Sequence, residues 1–151
     1  MQHFDSDFVS EVIQRLERIP ADAVPKWGEL RRDSLVEHLV WTLLHSMGRS
    51  KRVPFFGNWF TVHLVGPIFL TGIVPIPKNL KMPKALAAQG VVPREPGGID
   101  TLRSLMTEYI ALVQADELKP APHPAFGDIG VDGWDFLHVR HFEHHFRQFG
   151  V

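Results

Sequence analysis

The chain has 151 residues, a length that suits one domain around a single core. Its 44% hydrophobic content is ordinary for a globular protein, and a formal net charge of −1 leaves no electrostatic footprint for nucleic acid or for an acidic membrane surface. Cysteine is absent, which excludes disulfides, thiolate metal sites and a cysteine nucleophile.

A reducing cytoplasm is the expected location. The lack of cysteine is compatible with it, and the acidic N-terminus lacks the basic region of a signal peptide. A first helix is predicted from Ser6 to Ile19, where Phe8, Val9, Val12, Ile13, Leu16 and Ile19 form a 3.6-residue stripe and Pro20 ends it. A second is predicted from Ser34 to Met47. Leu35, Val36, Leu39, Val40, Leu43 and Met47 give it a broad apolar face, Ser34 to Glu37 reads as a capping box, and Gly48 as a stop.

Residues 49–99 are broken by Pro54, Pro67, Pro75, Pro77, Pro83, Pro93 and Pro96. They read as a long irregular crossover with short helices at Trp59 to Leu70 and Pro83 to Gln89. The apolar run Trp59 to Val74 contains His63 and a Gly66-Pro67 break, and it falls short of the about 20 residues a membrane span needs. It suits an interfacial or partner-facing segment and is compatible with a homodimer.

The third helix is predicted from Asp100 to Ala115, with Leu102, Leu105, Met106, Tyr109, Leu112 and Val113 as its stripe. After a Pro-rich loop, the fourth runs from Gly133 to Phe149, capped by Asp132 with Asp135 three residues on, and closed by Gly150. No alternating β-branched run reaches six residues. The expected fold is therefore all-α, a single domain over residues 1–151 built as a four-helix bundle with a long crossover between its second and third helices.

Nine histidines stand against one tyrosine, and four of the nine lie between His138 and His145. On a helix, His141 and His145 share a face about 6 Å apart along the axis, so two imidazoles can converge on one metal ion. Phe142, Phe146 and Phe149 between them mark a packed helix rather than a purification tag. A third ligand should come from another helix, and the second offers His38 and His45. Seven residues rise about 10.5 Å, so these two cannot both bind one ion, and the same argument separates His138 from His145. The residues alone leave open His141/His145 or His138/His141, with either His38 or His45. His144 lies about 60° to the side of His141. Three imidazoles with open positions describe a reactive site, and neutral nitrogen ligands suit zinc, nickel, copper or iron. The ordinary alternative is a His-rich helix whose imidazoles hydrogen-bond to backbone or water.

Glu37-His38-Leu39 and His141-Phe142-Glu143-His144-His145 resemble the DinB-like superfamily of metal-binding four-helix bundles. The similarity is closest to an uncharacterised branch. Its His-Pro-x-Phe-Gly motif, here His123 to Gly127, precedes a Trp, here Trp134, and a terminal HxxHHxRQFG motif, here His141 to Gly150. The likeness covers nearly the whole chain, specific at the C-terminus and loose over 49–99. It implies a metal site of His38, His141 and His145, with His45 and His138 in supporting or packing roles.

The implied cofactors are one divalent metal, zinc or nickel foremost, and a low-molecular-weight thiol, as in the similar bacillithiol transferases and mycothiol-dependent maleylpyruvate isomerases. The partner would then be a small-molecule substrate or thiol. The leading expectation is a metal-dependent transferase or isomerase. The alternatives are a non-catalytic metal- or ligand-binding bundle and a metal-dependent hydrolase, so whether the chain is an enzyme stays open. No P-loop, GxSxG or HExxH motif is present. Arg31, Arg32, Lys51 and Arg52 could hold a carboxylate of a thiol cofactor, although solvated surface charge is the commoner role. Lys78, Lys81 and Lys84, among the prolines of the crossover, read as a solubilising loop. Trp41 could wall a pocket or fill the core, Glu37 could act as a base or cap the helix, His63 could reach a partner, and His123 reads as a loop anchor.

Overall fold

The computed structural model describes residues 3–51 and 53–151. The first helix, α1 (Ser6–Arg18), starts where the Asp5 side chain accepts from the Phe8 N–H at 2.9 Å, satisfying one of the orphan donors of the first turn. Its stripe of Phe8, Val9, Val12, Ile13 and Leu16 is buried. Helix α2 (Arg32–Ser46) begins two residues before the predicted start. Ser34 is the third helical residue, and its hydroxyl accepts from the Arg31 N–H at 2.8 Å. Glu37 takes no part in the cap; its carbonyl oxygen instead accepts from the Glu95 N–H.

Beyond α2 the regular structure is sparse, as the prolines predict. A π-helical turn, Thr61–Val65, runs into α3 (Gly66–Leu70), and α4 (Lys84–Ala88) is a single short helix. Helices α5 (Ile99–Gln114) and α6 (Gly130–Phe149) complete the chain. Helix α6 starts three residues earlier than predicted, because Asp128, not Asp132, accepts from the Gly130 N–H. Its end is as expected: Gly150 takes the left-handed conformation, φ 80°, and its N–H reaches Phe146 O.

No strand is present among the described residues; only an isolated bridge joins His123 and Gly127. Helix α5 packs against both α1 and α2, and α2 against α6. Helix α1 meets α6 through the edge-on rings of Phe8 and Phe142, 5.8 Å apart, and through an ion pair between Arg15 and Glu143. The shared core includes Leu39, Leu43, Met106, Tyr109, Phe142 and Phe146, none of which retains solvent-accessible surface. Each such side chain stabilises the fold by about 1.5–3 kcal/mol relative to exposure.

Candidate metal centre

Helices α2 and α6 run antiparallel. His38 in the middle of α2 meets His141 and His145 near the end of α6, while Ser46 at the end of α2 meets His138. The antiparallel register brings His38, rather than His45, to His141 and His145. Nε2 of His141 lies 3.1 Å from Nε2 of His38 and 3.0 Å from Nε2 of His145, and one nitrogen from each ring falls within 4.8 Å of the others. His145 is buried, whereas His38 and His141 keep part of their surface open to solvent.

Hydrogen bonds behind the rings fix which nitrogen is available. Nδ1 of His38 lies 2.8 Å from the Pro93 carbonyl oxygen, which can only accept, so Nδ1 carries the proton. The Gln148 Nε2 amide donates to the Trp27 carbonyl oxygen at 2.7 Å, so its oxygen faces Nδ1 of His145 at 2.8 Å and accepts from it. Nε2 of both rings therefore presents a lone pair. His141 has one proton at most to offer two lone pairs, and its buried Nδ1 has no partner among the described residues. A cation relieves all three nitrogens at once, and imidazoles sharing a zinc-sized ion at about 2.0–2.1 Å would stand only slightly further apart than His141 stands from His38 and from His145. The three histidines could hold a metal ion.

The surroundings keep the rings neutral, the state a metal needs. Burial, and then the neighbouring His38, push His145 down to about 3, against the Gln148 hydrogen bond. Burial also lowers His38, helped by Arg94 and opposed by the Pro93 carbonyl. His141 is driven well below its ordinary value by burial and by facing His145 and His38.

Trp41 lies stacked between His38 and His45, at 6.1 and 5.4 Å with interplanar angles of 17° and 14°. It separates the triad from a second histidine layer. There, Nε2 of His138 lies 2.9 Å from Ser46 Oγ, Nδ1 of His45 lies 3.1 Å from Ser50 Oγ, and Trp134 touches both rings. These two histidines thus sit apart from the triad. His123 is a loop anchor: its Nδ1 accepts from the Ala125 and Phe126 N–H groups at 3.2 Å, and its ring stacks on Phe126 at 4.5 Å. His144 packs edge-on against Trp27, and exposed His63 lies beside Trp59.

Among the cations, Arg31 and Lys51 are exposed, Arg32 is half-buried, and Arg52 lies outside the described residues. Lys78 sits over the Trp27 ring at 4.6 Å, while Lys81 and Lys84 are exposed. Two clefts lie off the triad. One, of about 230 Å³, opens between residues 72–76 and α6, with Arg140, His144 and Arg147 on its wall. The other, of about 720 Å³, lies between the starts of α2 and α5. The triad itself is the better candidate, because its chemistry converges and theirs does not. The residues that sequence reasoning missed are Gln148 and Pro93. Gln148 was within reach, being three residues after His145 on the same face; a backbone carbonyl leaves no sequence signal.

A family model described as a protein of unknown function, DUF1569, matches residues 3–150. No curated protein and no solved structure matches the chain significantly.

Proposed function

The chain belongs to the DUF1569 family, which is grouped in the DinB-like clan, and on that premise we propose that it is a four-helix bundle binding one divalent metal through His38, His141 and His145. We infer further that it is a metal-dependent enzyme acting on a low-molecular-weight thiol, as a transferase or isomerase. The observation that carries the metal reading is the convergence of three Nε2 atoms, two with their protons fixed on the far side of the ring.

When bound, a divalent ion would lower the pKa of a thiol or water beside it and stabilise developing negative charge. The protein residues have simpler tasks. Three neutral imidazoles supply no negative charge, so they leave an ion its full charge with which to attract an anionic ligand such as a thiolate. Glu143, the carboxylate within the HxxHH run, is tied to Arg15 on α1 and supplies no charge to the cluster. With no cysteine in the chain, a thiol has to come from solution. The partly open surface at His38 and His141 is the side of approach, and the Trp41 ring covers the flank of His38.

A non-catalytic metal-binding role is the second reading, favoured by the position of both clefts away from the triad. Elemental analysis of the purified untagged protein beside His141→Ala tests the metal. About one ion per chain, lost in the variant, supports the site. Little metal in either protein after zinc or nickel is added removes it. In a cobalt-substituted site, a spectral shift on adding a low-molecular-weight thiol supports thiol chemistry, and an unchanged spectrum favours the second reading.

A further inference from the structure

The near-neutral net charge hides a sharp division along the chain. From His38 to Arg94 there is no Asp or Glu, while seven Lys and Arg occur there; all 17 carboxylates lie outside. Residues 53–77, at the centre of this stretch, carry no charged side chain.

In the fold this uncharged run packs as a layer on the 124–127 loop and on α6. The π-helical turn and α3 pack on each other, and α3 on α6. Gly66 is buried so closely that an added Cβ would sit 3.3 Å from the Phe126 ring, and Phe69 lies 5.4 Å from Phe126. The outward side is equally apolar. Phe60, Leu64 and Ile68 repeat every four residues along it, all exposed, with Trp59 70% exposed beside them and Ile73 82% exposed beyond. Phe55 and Phe56 add two more exposed rings. Aromatic side chains present about 150–250 Å² each, so the four rings alone offer roughly 350–550 Å² to solvent, the size of the largest apolar patch on a typical monomer, which is often functional.

The lysines that flank this run in the chain argue for one occupant. Arg49 is paired with Glu108 and Lys78 covers Trp27, but Lys51, Lys81 and Lys84 are exposed and pair with no carboxylate among the described residues. We propose that this layer docks on an anionic lipid surface, with the Trp59, Phe60, Leu64 and Ile68 side chains in the headgroup–acyl boundary and the three lysines on lipid phosphates and carboxylates. A second copy of the chain fits worse. A two-fold contact would set the same uncompensated lysines against each other, with no carboxylate in the whole 38–94 stretch to pair with them. Residues 61–70 rise about 15 Å as a helix, half the hydrocarbon thickness, so they would lie in the interface rather than cross it. Among the described residues, no helix is long and apolar enough to cross a membrane.

Vesicle flotation with the full chain tests this, using phosphatidylcholine alone and phosphatidylcholine mixed with phosphatidylserine. The protein should float with the mixed vesicles, much less with the neutral ones, and release as salt rises. Neutralising Lys51, Lys81 or Lys84 to Gln should weaken binding about fivefold each. The double substitution Phe60→Ser with Leu64→Ser should abolish binding while circular dichroism stays helical. Tryptophan emission should shift to the blue on binding, and Trp59→Phe should remove that shift. Failure to float, or flotation indifferent to the Phe60/Leu64 pair, overturns the proposal. So does a dimer in light scattering that the same pair dissolves while no vesicle is bound, which would assign the face to a second copy.

Discussion

Mild acid should destabilise this protein steeply, through histidines the fold keeps neutral. His138 has no exposed surface, and burial, then the nearby His45, hold it down to about 3. His123 is pushed down to about 4 for the same two reasons, and its unprotonated Nδ1 accepts two backbone N–H groups. In the unfolded chain both titrate near the ordinary 6.5. Below that pH the unfolded state binds protons that the native state refuses, so stability is intact above 6.5 and falls as pH drops towards 4 and 3. Each such histidine contributes a slope of about 1.4 kcal/mol per pH unit, and from pH 7 to 5 the pair removes about 4 kcal/mol. That is a large share of the about 5–15 kcal/mol that a domain of this size has. His45 is lowered by burial in the same sense and adds to the loss. Urea unfolding at pH 7, 6 and 5 with a chelator present measures the slope. His123→Asn keeps an acceptor for the turn and should reduce the slope by about one proton, or about 1.4 kcal/mol per unit. An unfolding free energy that stays level between pH 7 and 5 would refute the reasoning, as would a His123→Asn slope identical to the parent's.

Other substitutions probe the site and its support. Gln148→Leu removes the acceptor behind His145 and the donor to Trp27; calorimetry should show metal affinity reduced about 10–100-fold. Gly28→Ala should act on the same support, because Gly28 has φ +77° and a Cβ there would press on Gln148 Nε2 at 2.7 Å; a lower melting temperature with unchanged metal affinity would contradict this. Tyr109→Phe leaves the half-buried Asp135 without its 2.7 Å hydrogen bond and should cost about 1 kcal/mol in urea unfolding. Phe142→Ala, at a position with no exposed surface, should cost about 3–5 kcal/mol, and a loss below 1 would mean the core is looser than described.

The four long helices were legible because their apolar residues recur at helical spacing, and the buried stripes of α1 and α5 lie where that spacing put them. The starts of α2 and α6 were less legible. Asp132 looked like a cap because Asp135 follows three residues on, whereas Asp128 closes a tight turn onto Gly130 and the helix begins there. The triad was half legible. Spacing on α6 left His141/His145 and His138/His141 open, and only the family resemblance implied His38; from the residues alone, two helices must be placed in register before His38 can be preferred over His45, and register is a property of packing. Net charge misled most. Averaging over the chain cancelled a carboxylate-free stretch against an acidic remainder, and the surface that stretch forms became visible only once the exposed side chains around it were known.

The unpartnered Nδ1 of His141 separates how tightly an ion is held from how quickly it is exchanged. His38 and His145 are braced from behind by hydrogen bonds, while no hydrogen bond among the described residues holds Nδ1 of His141. The braced pair would act as a fixed berth and His141 as the mooring cast off first. Metal release to a chelator should then follow a rate set by one ring rotation and level off as chelator concentration rises; a rate that climbs without limit would mean that the chelator attacks an immobile triad. On this view residence time belongs to His141 and affinity to Gln148 and the Pro93 carbonyl, so the two can be altered independently.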